Sequence, residues 1–310
     1  MKKKVVVLIF VLPFSVLFAQ SPVDSLKKWT IGGVGALNFS QITLNNWAAG
    51  GENSFSTTAL FNLFSNYKKN KLTWDNSFDF AYGFLQRGTS ALRKSDDKID
   101  ITSKLGYETK KNWYATALVN FKSQFSVGYN YPNDSTVISN FLAPAYTLIS
   151  TGMDYKVKDY FSFFASPITG KITVVNSQSL ADVGAYGVEK AVYNSAGIMT
   201  AKGKMSRYEF GALISTKFKK EIVKNVILAT KLDLFSNYLH DPQNIDVNWD
   251  FLLNLKVNKY IATSISTTLI YDHDTPIGIY KNVNGVSTLV GTGPRTQFKE
   301  ALAVGFSYKF

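Results

Sequence analysis

From residue 29 onward, apolar and polar side chains alternate with a period of two. No other feature of the chain limits its fold so tightly, because strand side chains point to opposite faces in turn while a helix repeats every 3.6 residues. Leu72, Trp74, Phe78, Phe80, Tyr82 and Phe84 share one face; Thr73, Asp75, Ser77, Asp79, Ala81 and Gly83 share the other. Phe55, Thr57, Ala59, Phe61, Leu63 and Tyr67 likewise oppose Ser54, Ser56, Thr58, Asn62 and Asn66. Twelve segments carry the pattern, at 29–40, 54–68, 72–85, 98–109, 113–127, 145–156, 160–173, 206–218, 226–238, 247–257, 261–271 and 296–310. Ser150, Gly152 and Pro167 blur the faces of the sixth and seventh. No segment shows a helical stripe.

Short connections at 69–71, 110–112, 157–159, 219–225 and 258–260 alternate with long ones at 41–53, 86–97, 128–144, 174–205, 239–246 and 272–295. Antiparallel strands joined in this way make an up-and-down barrel, with short turns at one end and long loops at the other. Periodicity does not say which face is inside. Asp75, Asp79, Asp100, Lys104, Lys122, Glu209, Lys231, Asp233 and Asp250 stand mid-strand on the polar face. A water-filled or ion-paired lumen tolerates such charges and lipid does not. Twelve strands of large aromatics would also overfill a small interior.

Rings gather at strand ends. Trp29, Tyr67, Trp74, Tyr107, Trp113, Tyr155, Tyr160 and Phe218 lie toward the short turns; Phe39, Phe55, Tyr82, Phe84, Tyr208, Tyr238, Trp249 and Tyr271 lie toward the long loops. Two interfacial girdles place them so. Charged residues are 18% of the chain against roughly 25% in a soluble domain. The fold class read here is all-β: a transmembrane up-and-down antiparallel β-barrel of about 12 strands over 29–310, the long loops facing outward.

Lys2, Lys3 and Lys4 precede an apolar run from Val5 to Phe18 that ends in Ala19-Gln20, which reads as a cleaved secretory leader over 1–19. Residues 20–28 then form a short periplasmic segment. The net charge is +12, three units of it from the leader lysines. The remaining lysines lie in scattered pairs and an exported chain does not normally meet nucleic acid, so that partner is set aside. With no cysteine there is no disulfide framework, thiolate metal site or cysteine nucleophile.

The last segment alternates Phe298, Leu302, Val304, Phe306, Tyr308 and Phe310. Phe306, Tyr308 and Phe310 resemble the terminal signature of outer-membrane proteins, which implies recognition by the barrel-assembly machinery; outer-membrane lipid is the other expected partner. Four further stretches carry a wider resemblance: Asn46 to Ser54 (NWAAGGENS), Phe141 to Tyr146 (FLAPAY), Ser166 to Lys171 (SPITGK) and Leu180 to Val188 (LADVGAYGV). The chain resembles a family of Gram-negative outer-membrane β-barrels known only as a domain of unknown function. The resemblance implies the barrel and its location, and no activity.

Twelve tilted strands give a backbone radius of roughly 12 Å, and inward side chains leave a bore of a few ångströms. Such a lumen passes ions or small solutes, or is locked by pairs such as Asp100 with Lys122. The first function read here is a narrow porin-like channel. The alternative is a structural or interaction barrel docking a partner through its loops or lysine-bearing turns (Lys68, Lys69, Lys71, Lys110, Lys111, Lys156, Lys158, Lys219, Lys220, Lys224, Lys259). A hydrolase at the rim is a third. It would use His240-Asp241 or Asp272-His273-Asp274, but no serine stands at a fixed spacing to either, and the chain is read as no enzyme. Two histidines lack a metal-ligand spacing, so neither metal nor cofactor is expected. The loop at 174–205, with a hairpin around Asn194 to Gly197, is the best candidate for a gate, and a second hairpin is expected around Asn284-Gly285; either projects outward or folds into the mouth, and a simple extracellular loop is the favoured reading.

Overall fold

The computed structural model describes residues 28–44, 52–131, 133–283 and 286–310. The expected leader, most of the segment after it, residues 45–51 of the first long loop and the Asn284-Gly285 turn lie outside the described residues. Twelve long strands follow: β1 Trp29–Ile42, β2 Ser54–Lys69, β3 Leu72–Arg87, β4 Arg93–Lys110, β5 Trp113–Ser123 and β6 Ala145–Val157. Then come β7 Phe161–Val174, β8 Ser206–Val223, β9 Val226–Asn237, β10 Ile245–Lys256, β11 Ile261–Tyr271 and β12 Gln297–Lys309. Each pairs antiparallel with the next, and β12 returns to β1 to close the ring. The architecture is a closed twelve-stranded up-and-down barrel.

The pleat sorts the side chains as the alternation requires. Ile101, Leu105, Tyr107, Val119, Ile149, Phe210, Ile214, Phe298 and Leu302 stand exposed on the outer face, Leu302 at 71%. Rings meet in pairs where a girdle was expected: Trp29 lies 5.0 Å from Tyr67 and 5.7 Å from Trp74, Trp113 5.0 Å from Tyr155, and Tyr160 6.1 Å from Phe218. At the other rim Phe210 lies 6.0 Å from Tyr238. Trp74 and Trp249 each donate their indole N–H to a hydroxyl, Ser103 and Thr230, at 2.8 Å. The donor is thereby satisfied while the ring stays apolar.

Three boundaries differ from the sequence reading. The loop expected at 86–97 shrinks to 88–92, because β3 and β4 remain paired up to Leu85↔Arg93. β5 stops at Ser123 rather than 127. There the Asp97 carboxylate accepts the Phe125 and Ser126 N–H groups at 2.6 and 2.9 Å, drawing the chain off the sheet. β8 continues to Val223, leaving Lys224 and Asn225 as the turn, with Asn225 at φ 67.

The blurred faces of β6 and β7 have one cause. At Pro167, which has no N–H to give to a ladder, the register slips against both neighbours. Ser166 Oγ lies 2.7 Å from the Thr151 carbonyl and 2.8 Å from the Ile168 carbonyl, so its single proton serves one or the other where a rung is missing. Before the bulge Ser162, Phe164 and Ser166 point inward; after it Thr169, Lys171 and Thr173 do.

Closure relies on close approach at glycines of the seam, Gly33 and Gly305 among them. Gly33 exchanges both backbone hydrogen bonds with Phe310, at 3.1 and 3.2 Å. A Cβ there would stand 2.7 Å from the Phe310 ring and 2.7 Å from the Asn62 carbonyl. Gly33→Val is expected to prevent β12 from seating against β1. In refolding into vesicles, the compact, heat-modifiable band should fall below half its wild-type yield, while Gly35→Ala, with nothing closer than 3.8 Å to its added carbon, should refold normally.

Candidate functional site

The inner wall carries three tiers of ion pairs. Nearest the short turns, Lys104 Nζ lies 2.7 Å from Asp154, and Lys156 Nζ lies 2.6 Å from Asp75 and 3.7 Å from Asp154. Ser162 Oγ accepts from Lys104 at 3.0 Å and donates to Asp154 at 2.8 Å. Asp154 is completely buried.

At mid-height Asp100 faces Lys122 in register, 3.9 Å apart, and accepts from Asn120 at 2.6 Å. Lys122 reaches Asp233 at 3.7 Å, and Lys231 lies 3.2 Å from the same carboxylate. Asp79 accepts from Asn62. Lys98 lies 3.8 Å from Asp100 and 3.5 Å from Asp250. That last pair joins β4 to β10. They stand six strands apart in a ring of twelve, so the bridge runs from one wall to the opposite one.

Toward the long loops Lys171 lies 2.6 Å from Asp246, 3.4 Å from Glu209 and 3.6 Å from Asp272. Arg207 lies 3.0 Å from Glu209, 3.6 Å from Asp272 and 3.3 Å from Asp274. Between the outer and inner tiers, Leu118, Phe164, Leu213 and Phe235 form a buried apolar cluster inside the barrel. Lys104 stands over the Phe164 ring at 5.2 Å and Lys171 over Phe235 at 5.1 Å, so the cations at either end also gain ring contacts.

The loops cover this side of the mouth. Val175, Leu180, Ala181 and Val188 pack with Ala143, and a short helix, α1 (Gln178–Asp182), supplies two of them. Gln178 Nε2 donates to Asp182 at 2.7 Å and to the Gly203 carbonyl at 3.0 Å, tying α1 to the far limb of its loop. Tyr186 donates its hydroxyl to the Ile138 carbonyl at 2.5 Å. Burial pushes that hydroxyl up to about 12, so it remains a donor at ordinary pH. At Gly187 a Cβ would press on the Arg207 guanidinium, so the loop seats directly on the ion pairs below. Both loop hairpins form: Val192 pairs with Ala201, and Ile277–Val283 with Val286–Gly293.

All nine lumen candidates (Asp75, Asp79, Asp100, Lys104, Lys122, Glu209, Lys231, Asp233, Asp250) join this interior network or, for Asp79, an inward hydrogen bond. Lys98, Asp154, Lys171, Arg207 and Asp246 also belong to it and were not read as lumen residues from the sequence; Asp272 and Asp274, read there only as the flanks of His273, belong to it too. Lys156, read there as a turn lysine, bridges two lumen carboxylates instead. The carboxylates beside His273 are engaged by Lys171 and Arg207, and its Nδ1 lies 3.3 Å from the Tyr271 hydroxyl. His240 lies 3.4 Å from Asp241, both exposed.

Residues 39–129 match the model of a family described as a protein of unknown function, DUF3078. The match takes in the Asn46 to Ser54 stretch and stops short of the other three. Those three meet in the structure: Ala143 packs under the loop of Leu180 to Val188, and Lys171 stands in the tier beneath it. No curated protein matches the chain. Among solved structures, the COG4313 outer membrane channel from Pseudomonas putida F1 is similar at 12% identity and TM-score 0.37, over 93% of this chain and 100% of that one. The translocator domain of autotransporter NalP from Neisseria meningitidis is similar at 8% identity and TM-score 0.37, over 91% and 88%. The NanC porin is similar at 10% identity and TM-score 0.33, over 89% and 99%.

Proposed function

We propose that the chain is a barrel of the Gram-negative outer membrane that passes small ions or solutes along a narrow lumen, constricted at mid-height by the Lys98–Asp250 bridge. The outward apolar belt with ring pairs at its edges supports the membrane placement, since lipid takes the role of a core for such a face. The bridge is the observation that carries the channel reading. It divides the lumen in two. On the side of β5 to β9, Tyr114, Leu118, Phe164, Leu213 and Phe235 fill the interior. On the side of β11, β12 and β1, the inward residues include Ser264, Ser266, Ala301, Ala303, Ala36 and Ser40, small side chains that fill less of the interior, beside larger ones such as Asn38, Thr268 and Lys299. Mixed-sign walls suit a weakly selective path.

Reconstituted protein in a planar bilayer is expected to give small, discrete current steps with little preference for anion or cation. Protein that refolds to the compact form and carries no current would overturn the channel reading in favour of a structural barrel.

A further inference from the structure

The seam between β1 and β12 is paired for only part of its length. Its pairing runs from Gly33 with Phe310, through Val34↔Lys309, to Asn38↔Gly305 and stops. Both strands continue toward the long loops; among the described residues β1 runs to Ile42 paired with β2 only, and β12 runs from Gln297 paired with β11 only. Every other seam of the barrel carries ten or more register pairs. Exposure tells the same story. Phe39 to Thr43 and Gln297 to Glu300 are exposed on both faces, as is the end of β8 from Lys219 to Val223 beside a short turn.

A run of unpaired backbone N–H and C=O groups is not stable against hydrocarbon, so water or a polar ligand must reach these edges. Water is available from the small-residue side of the lumen, which this seam borders. Outside, the seam opens onto Leu37, Phe39, Phe298 and Leu302, with the exposed Glu300 carboxylate between the last two on the same face, which a carboxylate head passes before reaching Lys299. Inside, Lys299 Nζ reaches Asp96 on β4 at 2.7 Å, the lysine half exposed, so the pair lies behind the opening. A gap that joins an apolar belt to a wet interior with a solvent-reachable ammonium group suits one chemistry: an acyl chain that stays in the belt and an anionic head that competes with Asp96 for Lys299.

We propose that the β1–β12 seam is a lateral portal through which a single-chain amphiphile with a carboxylate head moves between the lumen and the bilayer. The inference deepens the channel reading and rests on it.

If the ladder continued past Asn38↔Gly305, Ser40 would face Ala303, and the chain has no other cysteine to confuse a bridge between them. The test uses Ser40→Cys/Ala303→Cys protein in phosphatidylcholine vesicles, its thiols joined by oxidation or, where the edges stand too far apart, by a short reducible cross-linker. The probe is a twelve-carbon fatty acid bearing a photoreactive diazirine. With free thiols, labelling is expected to concentrate on β1, β12 and the inward residues of β11. Bridging is expected to lower the inward labelling at least fivefold, and reduction to restore it. Labelling spread evenly around the belt, labelling indifferent to the bridge, or an adduct between two copies through these edges would each overturn the portal. Ionic current through the same bridged protein separates the two readings: unchanged current with lost inward labelling supports both, and absent current before bridging removes the channel whatever the probe does.

Discussion

Asp154→Ala is expected to lower the unfolding free energy by roughly 3–5 kcal/mol, the range for breaking a buried ion pair by deleting one partner. Asp154 has no exposed surface and takes contacts from Lys104, Lys156 and Ser162. Its loss leaves Lys104, which has no other carboxylate within ion-pair distance among the described residues, buried against Phe164 with an uncompensated charge. Lys156 keeps Asp75 at 2.6 Å and suffers less. Asp154→Asn, which keeps the Ser162 bond and loses the charge, should fall between wild type and alanine. Lys104→Met combined with Asp154→Leu removes both charges and fills the volume, and should cost far less than the single change, because the pair itself adds little beyond its own desolvation. Urea titrations in vesicles, followed by tryptophan emission, give the comparison. An alanine variant within about 1 kcal/mol of wild type would show that water already screens this tier.

These tiers were unevenly legible in the sequence, for reasons that particular residues show. Asp100 and Lys122 sit on adjacent strands joined by a short turn, so hairpin counting alone set them opposite each other. Lys98 and Asp250 are no less engaged, but their contact exists only once twelve strands have closed and brought opposite walls within reach. Lys171 was hidden by the bulge at Pro167, which switches the inward parity of β7 from even to odd positions. Asp246 and Asp272 lie at strand and loop ends, where carboxylates are ordinarily solvated, and nothing local says that a buried lysine points at them. The apolar interior cluster escaped for a different reason. Phe235, Leu118 and Leu213 share the parity of Asp233, Lys122 and Glu209, so the pleat already puts them on the lumen face, but only the charges of that face were singled out; Phe164 was obscured by the slip at Pro167. The sequence left the loop at 174–205 open between projecting outward and folding into the mouth; its seating on Arg207 through Gly187 depends on a close approach that no local pattern marks.

Replacing both ends of the cross-lumen bridge is expected to have the largest effect on transport. Lys98→Ala/Asp250→Ala removes one charge of each sign and the bridge that crosses the proposed path. Single-channel conductance should rise at least threefold with ion preference nearly unchanged, since the wall's net charge is preserved. The single variants carry opposite signs. Asp250→Ala leaves Lys98 with Asp100 as its remaining partner at 3.8 Å, beside Lys122 and Lys231, and shifts preference toward anions. Lys98→Ala frees Asp250, held then by the Thr268 hydroxyl at 2.7 Å, and shifts preference toward cations. Reversal potentials in a salt gradient read those shifts directly, and they should shrink as ionic strength rises, because exposed charge is screened within about 10 Å at 0.1 M. Stability offers an independent check: Asp250 and Lys98 are both partly open to solvent, so the double variant should refold with near wild-type yield. A refolded double variant whose conductance equals wild type would place the constriction elsewhere along the lumen and remove this bridge from the mechanism.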